Sequence, residues 1–171
     1  METDEQLAAA GAANLDLVVV PVGVGALANA AVHHYRSGQH APTVLTVEPD
    51  RAPAVITSIR ENRLVSVATQ PTIMAGLNCG TPSSIAWPYL AAGVDAAVTV
   101  TDAEAALAVA DLAAAGLDCG PCGAATLAGA RAVLLAPDRR TDLALDEDAV
   151  LVLFSTESRA ANPLPSLEAG Q

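Results

Sequence analysis

The chain has 171 residues, 52 % of them hydrophobic and 16 % charged, with a mean hydropathy of +0.40; that is enough apolar material for one sizeable core and excludes a disordered chain. A formal net charge of −11 repels nucleic-acid phosphates, and neither a basic-then-apolar leader nor an apolar run of about 18 residues occurs, so a cytoplasmic protein touching neither nucleic acid nor membrane is expected. Three cysteines are too few for a disulfide framework, and all eight basic residues are arginine, so the chain contains no lysine.

Leu15 to Val22 is a continuous, β-branched apolar run ending at a glycine turn, which predicts a strand buried on both faces of a parallel sheet, followed by a helix over 26–35. The grammar repeats with a strand over 43–47, a Glu48-Pro49-Asp50 turn and a helix over 51–61. From Gln70 to Pro82 a Gly/Thr/Asn-rich loop interrupts it; a helix over 83–92 follows, with Pro88 expected to kink it. A third strand spans 95–100. Thr101 and Glu104 form a capping box opening a helix through Ala114, with Leu107 and Ala110 expected inward and Gly116 as its stop. A helix over 124–135, an acidic turn (Asp142, Asp146, Glu147, Asp148) and an apolar strand over 149–154 lead to a polar tail. Strand and helix in alternation predict an α/β fold, a three-layer, open, mostly parallel sheet with helices on both faces.

The turn Gly23-Val24-Gly25-Ala26-Leu27, between strand and helix, can aim backbone N–H groups at an anion. Two readings stay open from the residues alone: an ordinary tight turn, or a phosphate cradle. A dinucleotide site is a rival, since Gly23 and Gly25 fit G-x-G-x-x-G and Glu48 lies about 20 residues on, although Ala28 holds the third glycine position. Cys119-Gly120-Pro121-Cys122 matches the thioredoxin redox motif in letters, but it follows a helix and has Asp118 before it. His33, His34 and Tyr35 are read as packing and surface residues.

Several segments in order resemble one family. VVVPVGVGALA (18–28), VEPD (47–50), TIMAGLNCGTPSSIAWPYL (72–90) and GPCGAATLAG (120–129) are similar to landmarks of the fold-type-II, tryptophan-synthase-β-like enzymes that use pyridoxal 5′-phosphate (PLP), and TIMAGLNCG resembles the diaminopropionate and threonine ammonia-lyase branch. The resemblance covers about 7–157 and corresponds to the C-terminal half of that fold, which makes 1–157 a partial domain and 158–171 a tail. It implies that the amides of Gly23, Val24, Gly25, Ala26 and Leu27 hold the cofactor phosphate, that Ala75 and Gly76 lie beside the ring, and that Cys122 faces the pyridine nitrogen as a neutral donor. Val24 and Ala26 depart from the family's all-glycine form; a positive φ at either would cost about 1 kcal/mol. Glu48 is similar to a cation-binding residue of some members, but Ala54 stands where its partner carboxylate belongs, so no metal is expected.

The same resemblance implies β-elimination from a small amino acid, 2,3-diaminopropionate, serine or threonine. The family's Schiff-base lysine has no counterpart here, so no catalytic residue is assigned. A complementing N-terminal half or a homo-oligomer is the expected partner, because half a sheet leaves strand edges uncovered. A non-catalytic structural remnant is the alternative from another class.

Overall fold

The computed structural model describes residues 2–12, 14–38 and 41–164. Four strands, β1 (Leu17–Pro21), β2 (Thr43–Pro49), β3 (Ala96–Val100) and β4 (Leu151–Leu153), form one parallel sheet in the order β3-β2-β1-β4. The helices are α1 (Glu2–Ala9), α2 (Ala26–Arg36), α3 (Ala54–Glu61), α4 (Trp87–Gly93), α5 (Asp102–Ala114), α6 (Pro121–Leu134) and α7 (Pro137–Asp142).

Alternation along β1 divides the core in two. Leu17 and Val19 join Leu45 and Val47 of β2 and pack against α5 and α6, whereas Val18 and Val20 join Val44 and pack against α2 and α4. A strand covered on both faces needs apolar side chains at every position, which is why its residues read as a run without polar breaks. Each fully buried valine contributes up to about 1.5–3 kcal/mol, so the central strand is a main source of stability. The three-layer α/β architecture is the expected one.

The α6 backbone lies close against β2. A Cβ on Gly129 would overlap Val47 Cγ2 and stand 3.0 Å from its Cγ1, so the helix-to-sheet spacing depends on the missing side chain. At the start of α3, Glu48 turns its fully buried carboxylate along the sheet face and accepts N–H groups of Val55 (2.9 Å) and Ile56 (2.7 Å). These are donors that the first turn of a helix leaves without partners. With Pro53 preceding it, α3 begins at Ala54 rather than at Arg51.

Three expectations are corrected. Pro88 does not kink a helix over 83–92; it occupies the first turn of a shorter helix that starts at Trp87, where a missing N–H costs nothing. Leu107 is 59 % exposed and Ala110 is exposed as well, while Ala105, Ala108 and Val109 form the buried stripe of α5. In an alanine-rich helix nearly every face is apolar, and which one packs is decided by α6 and the sheet. The capping box itself is present, with Thr101 and Glu104 exchanging hydrogen bonds. A short helix, α7, not expected from the sequence, begins at Pro137 and reaches Asp142, the first residue of the expected acidic turn.

Candidate functional site

Strand order locates the crevice. From β1 the chain steps through β2 to β3 on one side, while β4 lies on the other, so the direction reverses between β1 and β4. Open parallel sheets bind ligands just beyond the carboxyl ends of the strands at such a reversal. There the loop after β1 meets the segment after β4, the start of α6 and a 3-10 turn over Ala75–Leu77, around a cleft of about 340 Å³. Its walls include Gly23 to Leu27, Gly76, Cys79, Cys122, Thr156 and Glu157.

One side of this cleft is a row of backbone amides. Among the described residues, nothing accepts a hydrogen bond from the N–H groups of residues 23–28, and the first intrahelical acceptor used is Gly25 O, 2.8 Å from Asn29 N. Gly25 has φ +100°, a left-handed conformation that turns the chain into α2 and directs these donors outward. Val24 and Ala26 are not in the positive-φ region, so neither departure from glycine strains the turn. Gly25→Ala is expected to cost about 1–3 kcal/mol, since alanine would take an unfavourable φ and its Cβ would stand 2.7 Å from Leu90 Cδ1; urea denaturation of the variant checks it.

The loop and the thiol are joined by a short chain of contacts. A Cβ on Gly23 would stand 3.1 Å from Gly76 O and 3.1 Å from Cys79 Sγ, and one on Gly76 would stand 3.3 Å from Cys122 Sγ. Gly23, Val24, Gly25, Ala26, Leu27, Gly76 and Cys122 are therefore brought together, while Ala75 is exposed on the 3-10 turn and does not line the cleft. Burial, and then the Glu157 carboxylate beside it, push the Cys122 thiol up to about 11, so it is a neutral S–H at physiological pH.

Ser155-Thr156-Glu157, at the end of the last strand, is a weak signal in the sequence and Asn162 is none, yet Glu157 and Asn162 both lie at the cleft end. Glu157 Oε1 accepts from Cys122 N at 2.8 Å, within the first turn of α6, and from Asn162 Nδ2 at 3.0 Å. Asn162 also donates to Ile73 O at 3.0 Å and contacts Cys122 Sγ at 3.7 Å. Arg159 pairs with Asp118 at 2.9 Å, so the first residues of the polar tail run back over the start of α6.

The rival motifs find other uses. Both carboxylate oxygens of Glu48 are taken by the amides of α3, which leaves none directed at a nucleotide ribose. All three cysteines are free thiols; Cys119 Sγ receives Ser155 Oγ at 3.0 Å, whereas Cys122 turns to Gly76 and Asn162. A thiol raised to about 11 is the opposite of the acidic nucleophile a redox pair requires. His33 packs against Tyr89 with the rings tilted at 46° and their centroids 4.3 Å apart, and His34 binds Asp4 at 2.9 Å; neither histidine lines the cleft. No three His, Cys, Asp or Glu side chains among the described residues converge as a metal site would require, and no helix is long and apolar enough to cross a membrane.

The family model described as pyridoxal-phosphate dependent enzyme matches residues 1–156. Diaminopropionate ammonia-lyase of Escherichia coli (strain K12) is 34 % identical over 152 residues, covering 82 % of this chain and 38 % of its own length. L-threonine ammonia-lyase of Thermotoga maritima is 29 % identical over 96 residues, covering 56 % of this chain and 24 % of its own. The chain thus spans well under half the length of these relatives. Among solved structures, E. coli diaminopropionate ammonia-lyase superposes with a TM-score of 0.77 at 29 % identity over 92 % of this chain and 42 % of that one. Maize serine racemase gives 0.76 at 21 %, over 94 % and 47 %, a likeness of fold. On the match over 1–156 and the shared sheet, the chain belongs to the pyridoxal-phosphate-dependent enzyme family.

Proposed function

We propose that the cleft holds PLP, phosphate at residues 23–27 and ring nitrogen toward Cys122, and that the chain forms the cofactor-holding half of an ammonia-lyase for small amino acids such as 2,3-diaminopropionate, serine or threonine. The observation that carries this reading is the presence of unused amides and a neutral thiol on one small cleft. Electrostatics orients the ligand. Two helix N-termini meet there, but that of α6 already has the Glu157 carboxylate on it, so a phosphate finds open donors only at α2. No arginine lines the cleft, which leaves backbone amides to bind the dianion.

Bound in this way, PLP supplies an electron sink for carbanion chemistry. The chain's own residues hold and exclude: residues 23–27 would fix the phosphate, the neutral Cys122 thiol would lie at the ring's far end, and buried Val22 and Leu77 keep water from the inner wall. Moving the substrate's Cα proton requires a base, which in this family is a lysine. This chain has none, so the reading assigns the base to a complementing lysine-bearing half. The exposed side chains of Val24 and Leu27 at the cleft, with Ile85 and Tyr89 exposed nearby, are apolar surface that such a half would cover.

Ala26→Glu tests the orientation. Ala26 is exposed, so the fold tolerates the change, while a carboxylate at the α2 N-terminus competes with phosphate; PLP affinity is expected to fall at least about tenfold, or 1.4 kcal/mol. Titration followed by absorbance, with and without a lysine-bearing family half, reads this out, and borohydride should fix the label on the partner's lysine. Unaltered PLP binding by the Glu variant would reject the cradle, and absence of PLP binding in either arm would leave a structural role.

A further inference from the structure

We propose that the chain associates head to tail with further copies of itself, the free edge of β4 in one copy pairing in parallel with the free edge of β3 in the next. The proposal concerns the edges of the sheet and does not rest on the cofactor reading of the cleft. β3 and β4 are the outer strands, so each offers a row of backbone N–H and C=O groups with no strand beside it among the described residues. Edges are ordinarily blunted by proline or charge, and residues 96–100, Ala-Ala-Val-Thr-Val, carry neither. A groove of about 570 Å³ follows β3 from Asp95 to Thr99. Ile56 and Arg60 of α3 wall it on one face of the sheet, and Val133, Arg139, Asp142 and Leu143 on the other. Apolar walls above and below a strand edge suit an extended segment, whose side chains alternate between them.

Charge selects the segment. Arg36, Arg51, Arg63, Arg131 and Arg159 each pair with a carboxylate, whereas Arg60 and Arg139 have no ion-pair partner among the described residues. Asp95 in the groove is already bound to Arg36, which leaves Asp142 alone against two guanidinium groups. The chain itself carries the complement: Asp146, Glu147 and Asp148 are exposed and lead into β4, which is paired on the β1 side only. Level and direction also agree. Ala96, Leu45, Val19 and Leu153 are partners across the sheet and lie on one level. A copy added beside β3 without a slip therefore sets its Leu153 next to Ala96 and its acidic run just beyond Asp95. Arg60, in the last turn of α3, and Arg139, past the end of α6, stand at that same end, because both helices start from the carboxyl ends of the strands. Since the two edges differ, each added copy presents a new β3 or β4 edge, and strand twist winds the series into an open filament.

Analytical ultracentrifugation of the full chain across a range of concentrations tests this. The weight-average mass is expected to rise with concentration past that of a dimer, to at least about three times the monomer. Two charge variants separate this pairing from indiscriminate clumping. Arg60→Glu with Arg139→Glu, and Asp146→Arg with Glu147→Arg and Asp148→Arg, are each expected to stay monomeric alone, because like charges then meet across the contact. Mixed in equal amounts they should associate again, since each supplies the edge that the other accepts. Ala96→Pro tests the backbone: Asp95 N bonds to Val44 O, so the next N–H, that of Ala96, faces away from β2, and its removal should abolish association with the circular dichroism unchanged. If that variant fails to fold, the charge variants carry the test. A chain that stays monomeric at every concentration overturns the proposal. So does a mass that levels off at the dimer, the mark of two β3 edges paired about a two-fold axis, and so does a mixture of the charge variants no larger than either alone.

Discussion

Gly129→Val is expected to destabilise the chain by about 3 kcal/mol or more, enough to unfold many domains of this size. Two effects oppose each other at this site. Alanine is a better helix former than glycine by about 1 kcal/mol and valine by less. Against that, the new Cβ overlaps Val47 Cγ2, on a residue that is fully buried and pinned between β1 and β3, so neither partner can withdraw. Overpacking costs about 1–3 kcal/mol for a methylene, and valine brings three carbons, so overlap wins. Gly129→Ala should show a smaller net loss. Combining it with Val47→Ala, which opens the space, should recover stability beyond the sum of the single changes; urea denaturation of all four proteins in a double-mutant cycle measures that coupling.

The second large effect is expected from pH. Burial raises the Glu48 carboxyl from 4.5 to about 7, outweighing the two amides of α3 that favour its ionised form. Between these values the folded chain keeps a proton that the unfolded chain has released, so stability falls as pH rises. It is greatest below about 4.5, drops through about 7, and is level above. The difference corresponds to about 3 kcal/mol. The whole chain also becomes more acidic over this range, so the useful quantity is the stability of the unmodified chain relative to Glu48→Gln, which cannot titrate. That difference should shrink by about 3 kcal/mol between pH 4 and pH 8 in chemical denaturation, and a flat difference would show that the carboxylate is accommodated ionised.

Much of the architecture was legible because its cause is local. The run 17–20 is apolar at every position since both faces of β1 are covered, and Thr101 with Glu104 caps α5 by contacts three residues apart. The turn at 23–27 was legible for the same reason. Strand order was not, because the pairing of β1 with β4 joins distant segments with no signature in either. Leu107 was misassigned for a related reason: alanines stand directly before and after it in the sequence, and amphipathicity that would select a face is weak in α5. Glu157 is only a weak signal and Asn162 none because a polar stretch after a last strand looks like solvent-facing tail. Their partners, Cys122 and Ile73, lie far away in sequence and come close only through the packing of α6 and the 3-10 turn.

The order of assembly follows from the β1–β4 pairing. Hydrogen bonds between β1 and β2 can form soon after synthesis, but β1's other edge waits for Leu151 to Leu153, and the groups that cap α6 come later still. Contacts of such long sequence separation form late because the loop entropy must be met first. During synthesis the row of amides at the start of α2 is thus exposed before the opposite wall of its cleft exists, and the cleft closes as one of the final folding events.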